Sequence, residues 1–218
     1  GLFIPASLSV VLTISEGGFV QLTEVGPQLD YNALFTSPLT WAIVVLSITA
    51  VLYISAVFLT WYAHYAGDNK AGMLMRKYAL VTSLPLIVSA IGIIVEMRRT
   101  GNWHYANMVD LSWLFIVSGI LFLATTALLW MKDKYGFAVL LMILQFATAF
   151  FAYGISHYPY LLYPYLTVHD SFTTTSMAIA IVIAFIAGLC LLIPSMYLVL
   201  KLFIFNKSYA SGDKETHV

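Results

Sequence analysis

The sequence predicts an all-α fold, a polytopic bundle of transmembrane helices, and three observations lead to it. Of its 218 residues 61% are hydrophobic and only 9% are charged, whereas soluble domains carry about 25% charged residues. The apolar residues gather in five stretches long enough to cross a bilayer, which takes about 20 residues. The formal net charge is zero, so nothing indicates a nucleic-acid partner.

The first 37 residues predict the end of one helix and a loop. Residues 1–15 are mostly apolar but too few to span a bilayer. They begin without an initiator Met or a basic stretch, so we interpret them as the last half of a transmembrane helix in a longer chain. Residues 16–37 contain Glu16, Glu24 and Asp30, no Lys or Arg, and several glycines. They are expected to form an extracytoplasmic loop.

Residues 38–156 are predicted to form a four-helix transmembrane bundle. Ser37 can cap the first helix, and Pro38 is tolerated in its first turn. Asp110 is placed to cap the third helix, and Lys132–Lys134 forms a tight turn. The four predicted spans cover approximately residues 38–63, 78–95, 111–131 and 135–156.

The remaining residues predict a turn, one more span and a tail. Residues 157–172 are a tyrosine- and proline-rich extracytoplasmic turn, 173–206 the last transmembrane helix, and 207–218 a cytoplasmic tail. The last helix carries small residues spaced four apart, which let helices approach closely in lipid. We expect these positions to pack against another subunit or to form a bundle seam. They are Ala180, Ala184 and Gly188.

Positive charge predicts the orientation, because cytoplasmic loops are enriched in Lys and Arg. By alternation of the spans, eight of the ten basic residues fall on one side, which places the C-terminus in the cytoplasm. Arg98 and Arg99 are the exception, and pairing with Glu96, Asp110 or lipid phosphate would accommodate them. The eight are Lys70, Arg76, Lys77, Lys132, Lys134, Lys201, Lys207 and Lys214.

The sequence predicts no catalytic, cofactor-binding or metal-binding residue in this chain. No ionisable residue falls between the ends of the five full spans, where membrane function usually places one. The histidines fall at helix ends or in loops, so none is placed to ligate a haem, and no pair is spaced for a metal on one helix face. Outside the predicted tail these histidines are His64, His104, His157 and His169.

A few polar and aromatic residues leave alternatives open. Gln145 is expected to form an interhelical hydrogen bond, or to contact a quinone or water. The charged residues around Glu96 form a solvated or lipid-facing cluster, or a subunit contact. The tyrosines near the fourth span predict an interfacial aromatic belt, or a headgroup or partner-loop contact. They are Tyr153, Tyr158, Tyr160, Tyr163 and Tyr165.

Motifs towards the end of the chain resemble a known family. The sequence Tyr158-Pro-Tyr-Leu-Leu-Tyr-Pro is followed by Leu166-Thr, Asp170-Ser-Phe-Thr, Met177 and Pro194-x-x-Tyr197. With a Lys- and Phe-rich exit, these resemble the C-terminus of subunit II of cytochrome bd-type quinol oxidases, in its Gram-positive type. The span order, the entry Arg76-Lys77-Tyr-Ala-Leu80 and the Lys132–Lys134 turn also fit.

This resemblance implies a nine-helix subunit, built from two four-helix bundles and a final helix. The present chain would supply the end of helix four, the second bundle and the final helix. It also implies a bacterial plasma-membrane oxidase that oxidises quinol and reduces oxygen to water. Haems b and d would belong to the partner, subunit I, and this chain would be a non-catalytic, haem-free subunit that braces it. A small single-helix accessory subunit and membrane lipid are further implied partners.

Two other hypotheses remain from the residues themselves. One hypothesis is that the chain is a fragment of a multi-span transporter, although a transporter should show interrupted helices or charges at the midplane. Alternatively it is a quinone-binding scaffold that uses Gln145 and nearby aromatics, which is compatible with the oxidase hypothesis.

Overall fold

The protein is described here from a computed structural model, which covers residues 1–24, 26–132, 134–170, 174–199 and 201. The described chain is helical apart from two short hairpins, and five of its helices are long and apolar enough to cross a membrane. The predicted all-α, multi-pass architecture is confirmed. The elements are α1 (Phe3–Ser15), β1 (Val20–Thr23), β2 (Gly26–Leu29), α2 (Tyr31–Thr36), α3 (Pro38–Tyr65), α4 (Asn69–Thr100), α5 (Trp103–Asp110), α6 (Ser112–Met131), α7 (Tyr135–His157), β3 (Tyr160–Leu162), β4 (Leu166–Thr167) and α8 (Thr175–Val199).

Helices α3, α4, α6 and α7 form the body of the fold. The α3 and α4 helices pack along each other, α6 packs on α7, and α3 also contacts α7. One core surrounds the fully buried Tyr53, whose ring centroid lies 5.6 Å from that of Phe122. A second core lies nearer the Glu16 end of the bundle and contains Leu39, Ile93 and Met97. Most outward-facing side chains of these helices are apolar and exposed, as expected for helices surrounded by lipid.

Helix α1 lies along α3 with its polar side inward. Ser9 and Thr13 are buried, and their hydroxyls donate to carbonyl oxygens of the preceding turn. The Ser47 hydroxyl of α3 donates to the carbonyl oxygen of Pro5 at 2.9 Å. Glu16 follows on the same side, three residues after Thr13, and is buried with them. The helix therefore points a polar stripe into the bundle and an apolar surface outwards.

The start of α4 differs from the boundary that hydropathy predicted. Asp68 caps α4 by accepting a hydrogen bond from the backbone N–H of Ala71 at 3.0 Å, so this helix starts well before the predicted 78–95 span. Hydropathy missed its first turns because they carry the basic residues. Arg76 donates to the carbonyl oxygen of Leu129 at 3.3 Å.

Asp110 is not the cap that the sequence predicted for the third span. It is the last residue of the short helix α5, and Leu111 occupies the N-cap position of α6 without a side-chain cap. Ser37 does precede α3 with Pro38 in its first turn, but its hydroxyl makes no capping bond. At the predicted tight turn, Lys132 and Lys134 both adopt left-handed backbone conformations, with φ of 59° and 45°.

The two predicted extracytoplasmic segments are more ordered than loops. Within 16–37, β1 pairs antiparallel with β2, and α2 follows with Asp30 accepting a cap bond from the N–H of Ala33 at 2.9 Å. Within 157–172, β3 pairs antiparallel with β4, and the Tyr158–Pro159 and Tyr163–Pro164 bonds are cis. The last two residues of that segment lie outside the described residues.

Helix α8 differs from the others, since none of its residues is buried. It accounts for most of the predicted last span, 173–206. Residue 173 and most of 200–206 lie outside the described residues, as does the predicted tail 207–218.

Candidate functional site

The largest cluster of buried ionisable side chains lies where α1, α5 and α7 meet. Glu16 follows the last residue of α1 and is only 1% exposed. Helix α5 contributes His104, and the last turn of α7 contributes Tyr153, Ser156 and His157. Residues three and four apart share one face of a helix, so the α7 residues all point towards the glutamate. We call these five residues the Glu16 cluster.

The Glu16 carboxylate is the centre of this cluster. His104 Nδ1 lies 3.0 Å from each of its two oxygens. The Tyr153 hydroxyl donates a short hydrogen bond to Oε1. His157 Nδ1 lies 3.7 Å from the same oxygen, beyond hydrogen-bond distance. A carboxylate out of contact with water is therefore surrounded by two imidazoles and a phenol.

His104 is held from both sides and is fully buried. Its Nε2 lies 2.7 Å from the Ser156 hydroxyl oxygen. That hydroxyl donates to the carbonyl oxygen of Tyr153 at 2.9 Å. Asn107, one turn along α5, donates to the carbonyl oxygen of Ser156 at 3.0 Å. Asn102 starts α5 by accepting from the His104 N–H at 3.0 Å, so the short helix presents its histidine in a fixed position.

Aromatic rings close the cluster on the side of the β3–β4 hairpin. The Trp103 indole N–H donates to the carbonyl oxygen of Glu16 at 3.0 Å. Its ring stacks on Tyr163, with centroids 4.8 Å apart and planes at 15°. Tyr160 meets the indole edge to face at 5.0 Å. These rings exclude water from the carboxylate, which strengthens every electrostatic interaction within the cluster.

The hairpin is fastened to the end of α1 by a close backbone approach. The Tyr163 N–H donates to the carbonyl oxygen of Ser15 at 3.1 Å. Gly17 has a φ of +90°, and a Cβ at this position would lie 2.7 Å from the Tyr163 carbonyl oxygen. Only glycine fits both the left-handed backbone and the contact.

His157 is the least satisfied member of the cluster. Neither ring nitrogen has a hydrogen-bond partner among the described residues. Its side chain is 13% exposed, and its ring stands edge to face against that of His104, with centroids 4.9 Å apart. Glu16, His104 and His157 each offer a ligand atom, and these atoms all lie within 4.8 Å of one another. Carboxylate and imidazole are ligands that suit transition metals.

The order Ser156–His104–Glu16 also matches the serine, histidine and acid of a hydrolase triad. Ser156 is 1% exposed, and its hydroxyl is engaged with the Tyr153 carbonyl oxygen. A substrate carbonyl would have no approach to this oxygen. The arrangement therefore favours holding a cation or a proton over nucleophilic attack.

The residues singled out from the sequence mostly lie elsewhere. Gln145 is buried, but its backbone oxygen accepts the interhelical hydrogen bond from Ser118 at 3.1 Å. Its side-chain Oε1 has no partner within the described chain. Glu96 pairs with Arg99 at 2.8 Å at the surface. The predicted packing residues, all exposed on α8, are Ala180, Ala184 and Gly188.

The Glu16 cluster was not predicted from the sequence. Glu16 was assigned to a loop, and His104 and His157 were set aside as loop and helix-end residues. The tyrosine belt did include one member of the cluster, Tyr153, and two residues whose rings contact Trp103 beside it, Tyr160 and Tyr163. One local signal was present, the spacing Ser9, Thr13 and Glu16 along α1, which places the glutamate on the helix's polar side.

Comparison with known proteins assigns the chain to a family. Residues 1–203 match the family model described as cytochrome bd terminal oxidase subunit II. A protein of Bacillus subtilis (strain 168), provisionally named cytochrome bd menaquinol oxidase subunit II, is 31% identical over 222 residues, which cover 98% of this chain and 64% of that protein.

A solved structure agrees with this assignment. The structure of bd oxidase from Geobacillus thermodenitrificans contains a chain that matches with a TM-score of 0.79 and 55% sequence identity, covering 94% of this chain and 62% of that one. The chain thus spans less than two thirds of the length of either relative. The sequence match, the relative and the shared fold lead to one conclusion: this chain belongs to the cytochrome bd terminal oxidase subunit II family.

Proposed function

We propose that this chain is part of the haem-free subunit II of a bacterial membrane oxidase that oxidises quinol and reduces oxygen to water. In this proposal it supports a haem-bearing subunit I, which carries haems b and d, and contributes no catalytic residue itself. The observation that carries the proposal is the family match over residues 1–203. The alternative, a transporter fragment, has no support from these relatives.

The exposure of α8 supports a role in assembly. A helix without a buried residue must be covered by lipid or by another polypeptide. Its small residues at 180, 184 and 188 lie on one side and offer a close approach. We assign this side to contact with a neighbouring subunit, either subunit I or a single-helix accessory subunit.

The charge distribution supports an orientation in the bacterial plasma membrane. The left-handed turn with Lys132 and Lys134 lies at one end of α6 and α7, and the Glu16 cluster lies at the other end of α7. Because positive loops face the cytoplasm, the turn and the C-terminus are assigned to the cytoplasmic side. The Glu16 cluster is then near the outer surface.

Affinity purification from native membranes in mild detergent tests the proposal. The protein that carries this sequence is tagged, and its optical spectrum, co-purifying proteins and oxygen uptake are measured. We expect a haem-rich partner with b- and d-type absorption, and oxygen uptake that depends on added quinol. An unrelated tagged multi-span protein, purified in the same way, is the control. A colourless protein without a partner would contradict the oxidase assignment.

A further inference from the structure

We propose that Glu16, His104 and His157 bind one divalent first-row transition-metal ion at the outer end of the bundle. The proposal does not depend on the oxidase function, since it rests on the side chains of the Glu16 cluster alone. The three ligands come from separate parts of the sequence and meet in a site lined by aromatic rings.

The hydrogen bonds around His104 determine which of its nitrogens faces the carboxylate with a lone pair. The Ser156 hydroxyl has one hydrogen, and it donates this hydrogen to the Tyr153 carbonyl oxygen. In the tautomer consistent with that bond, the hydroxyl accepts from His104 Nε2, which carries the proton. In a neutral imidazole the other nitrogen is then a lone-pair acceptor. Nδ1 would place that lone pair 3.0 Å from both carboxylate oxygens, which requires a positive charge between them.

A proton on Nδ1 would satisfy His104 but not the rest of the cluster. His157 would still have no partner for either ring nitrogen, and its Nδ1 would remain 3.7 Å from Oε1 of Glu16. Leaving buried polar atoms unpaired is costly. A metal ion provides a partner for the carboxylate and for both histidines at once.

The separations are compatible with ligands of one ion, since the three ligand atoms all lie within 4.8 Å of one another. An ion about 2.1 Å from each of its nitrogen and oxygen ligands holds those ligands roughly 3.4 Å apart in a tetrahedral site. The measured separations from the carboxylate are 3.0 Å to His104 Nδ1 and 3.7 Å to His157 Nδ1. These values lie on either side of the ideal separation.

The surroundings also resemble those of a metal site. Metal-bound histidines usually donate their other N–H to a fixed acceptor, as His104 does to Ser156. The carboxylate is oriented by the Tyr153 hydroxyl. His157 keeps 13% of its side chain exposed, so the site lies close to the surface of the chain. Two histidines and one carboxylate leave coordination positions open for water. Purely structural metal sites, in contrast, have all their positions filled by protein ligands.

The test measures metal content in the purified membrane protein with its natural partners. Mn, Co, Ni, Cu and Zn are quantified per polypeptide by mass spectrometry, as isolated and after incubation with Zn²⁺ followed by desalting. Haem iron is counted separately from the optical spectrum. We expect about one ion for each copy of this chain, with X-ray absorption showing nitrogen and oxygen ligands at about 2.0–2.1 Å.

His157→Gln is the decisive variant, because no hydrogen bond of the described residues is lost with it. We expect at least a tenfold loss of Zn²⁺ affinity, and a similar loss in Glu16→Gln. His169→Gln is the matched control, an exposed histidine after the β3–β4 hairpin that bonds Tyr158, and it should bind like the unchanged protein. Thermal melting checks that each variant is folded.

Two outcomes would overturn the proposal. One is metal content below a tenth of an ion per chain in the unchanged protein both before and after Zn²⁺ incubation. The other is Zn²⁺ affinity that is equal in the unchanged protein and in folded His157→Gln. The first outcome needs no variant, so the proposal stays testable even where a variant fails to fold.

Discussion

The Glu16 cluster and helix α8 are opposites in how they are stabilised. In the cluster, polar side chains are buried within the chain and held by hydrogen bonds from three helices. In α8, apolar side chains are exposed along the whole helix. Helix α7, which carries three members of the cluster, and helix α8 are both long and apolar enough to cross a membrane. The cluster is enclosed by the chain's own side chains, whereas α8 must be covered by lipid or by another polypeptide.

The difference teaches where substitutions should act. A change near the Glu16 cluster should alter the stability of the chain itself. A change on α8 should leave that stability nearly unchanged and act on assembly. The three predictions below test this division, from the largest expected effect to the smallest.

Gly17→Ala should destabilise the protein strongly, because its Cβ would meet the Tyr163 carbonyl oxygen at 2.7 Å. Gly18→Ala is the matched control, since its φ of +84° is similar but nothing lies within 4 Å of its Cβ. Left-handed strain costs each variant about 1 kcal/mol, and the close contact adds about 1–3 kcal/mol for Gly17 alone.

Thermal melting in detergent measures this pair. At roughly 2–4 °C per kcal/mol for a chain of this size, the midpoint of Gly17→Ala should fall by at least twice as much as that of Gly18→Ala. Equal midpoints for the two variants would show that the hairpin is not fastened to α1 through this contact.

Gly188→Leu should weaken assembly by about 1–2 kcal/mol, because it thickens the small-residue side of α8. The recovery of co-purifying subunits should fall several-fold, while the melting midpoint of the isolated chain stays the same. Val182→Phe on the opposite side of α8 is the control and should not affect recovery. Normal recovery from Gly188→Leu would mean that lipid covers this side.

Asp170 provides a small effect with a predictable sign. Hydrogen bonds from the Thr167 hydroxyl at 2.6 Å and the Thr167 N–H at 2.9 Å lower the pKa of this exposed carboxyl, with a further contribution from the neighbouring His169. Its stabilisation is therefore present above the ordinary aspartate pKa of about 3.9 and is lost as the pH falls through the lowered pKa.

The thermal melting midpoints of the unchanged protein and of Asp170→Asn, measured at several pH values, test this pH dependence. The unchanged protein should melt slightly higher at pH 6, and the difference should shrink as the pH falls below about 4. A difference that grows as the pH falls would have the wrong sign. Asp170 is exposed, so water competes for its hydrogen bonds with Thr167. The Glu16 carboxylate is buried, and its hydrogen bonds are shielded from water.

The membrane architecture could be predicted because it depends on local properties. A span needs only length and apolar composition, and α3, α6 and α7, as well as the start of α8, follow the prediction within a few residues. The start of α4 was predicted too late in the chain, because the basic residues in its first turns lower the local hydropathy. The capping residue Asp68 marks the true start. The two hairpins were missed because short strands carry little sequence signal.

The Glu16 cluster could not be predicted because its members are far apart in sequence. His104 lies 88 residues from Glu16, and Tyr153 lies 137 residues from it. No local spacing links them, and each looks like an ordinary loop or helix-end residue. The expectation of no metal site rested on such spacing, so it stays a prediction that the metal analysis will decide.

The long separation within the cluster has a consequence for how the protein is made. Synthesis at about 5–20 residues per second places roughly 7–27 s between the emergence of Glu16 and that of Tyr153, 137 residues later. During that interval α1 has Ser47 as an early neighbour, but the carboxylate has none of its final partners until His104 emerges 88 residues after it. The end of α1 can therefore complete its hydrogen bonds only after α7 has been made.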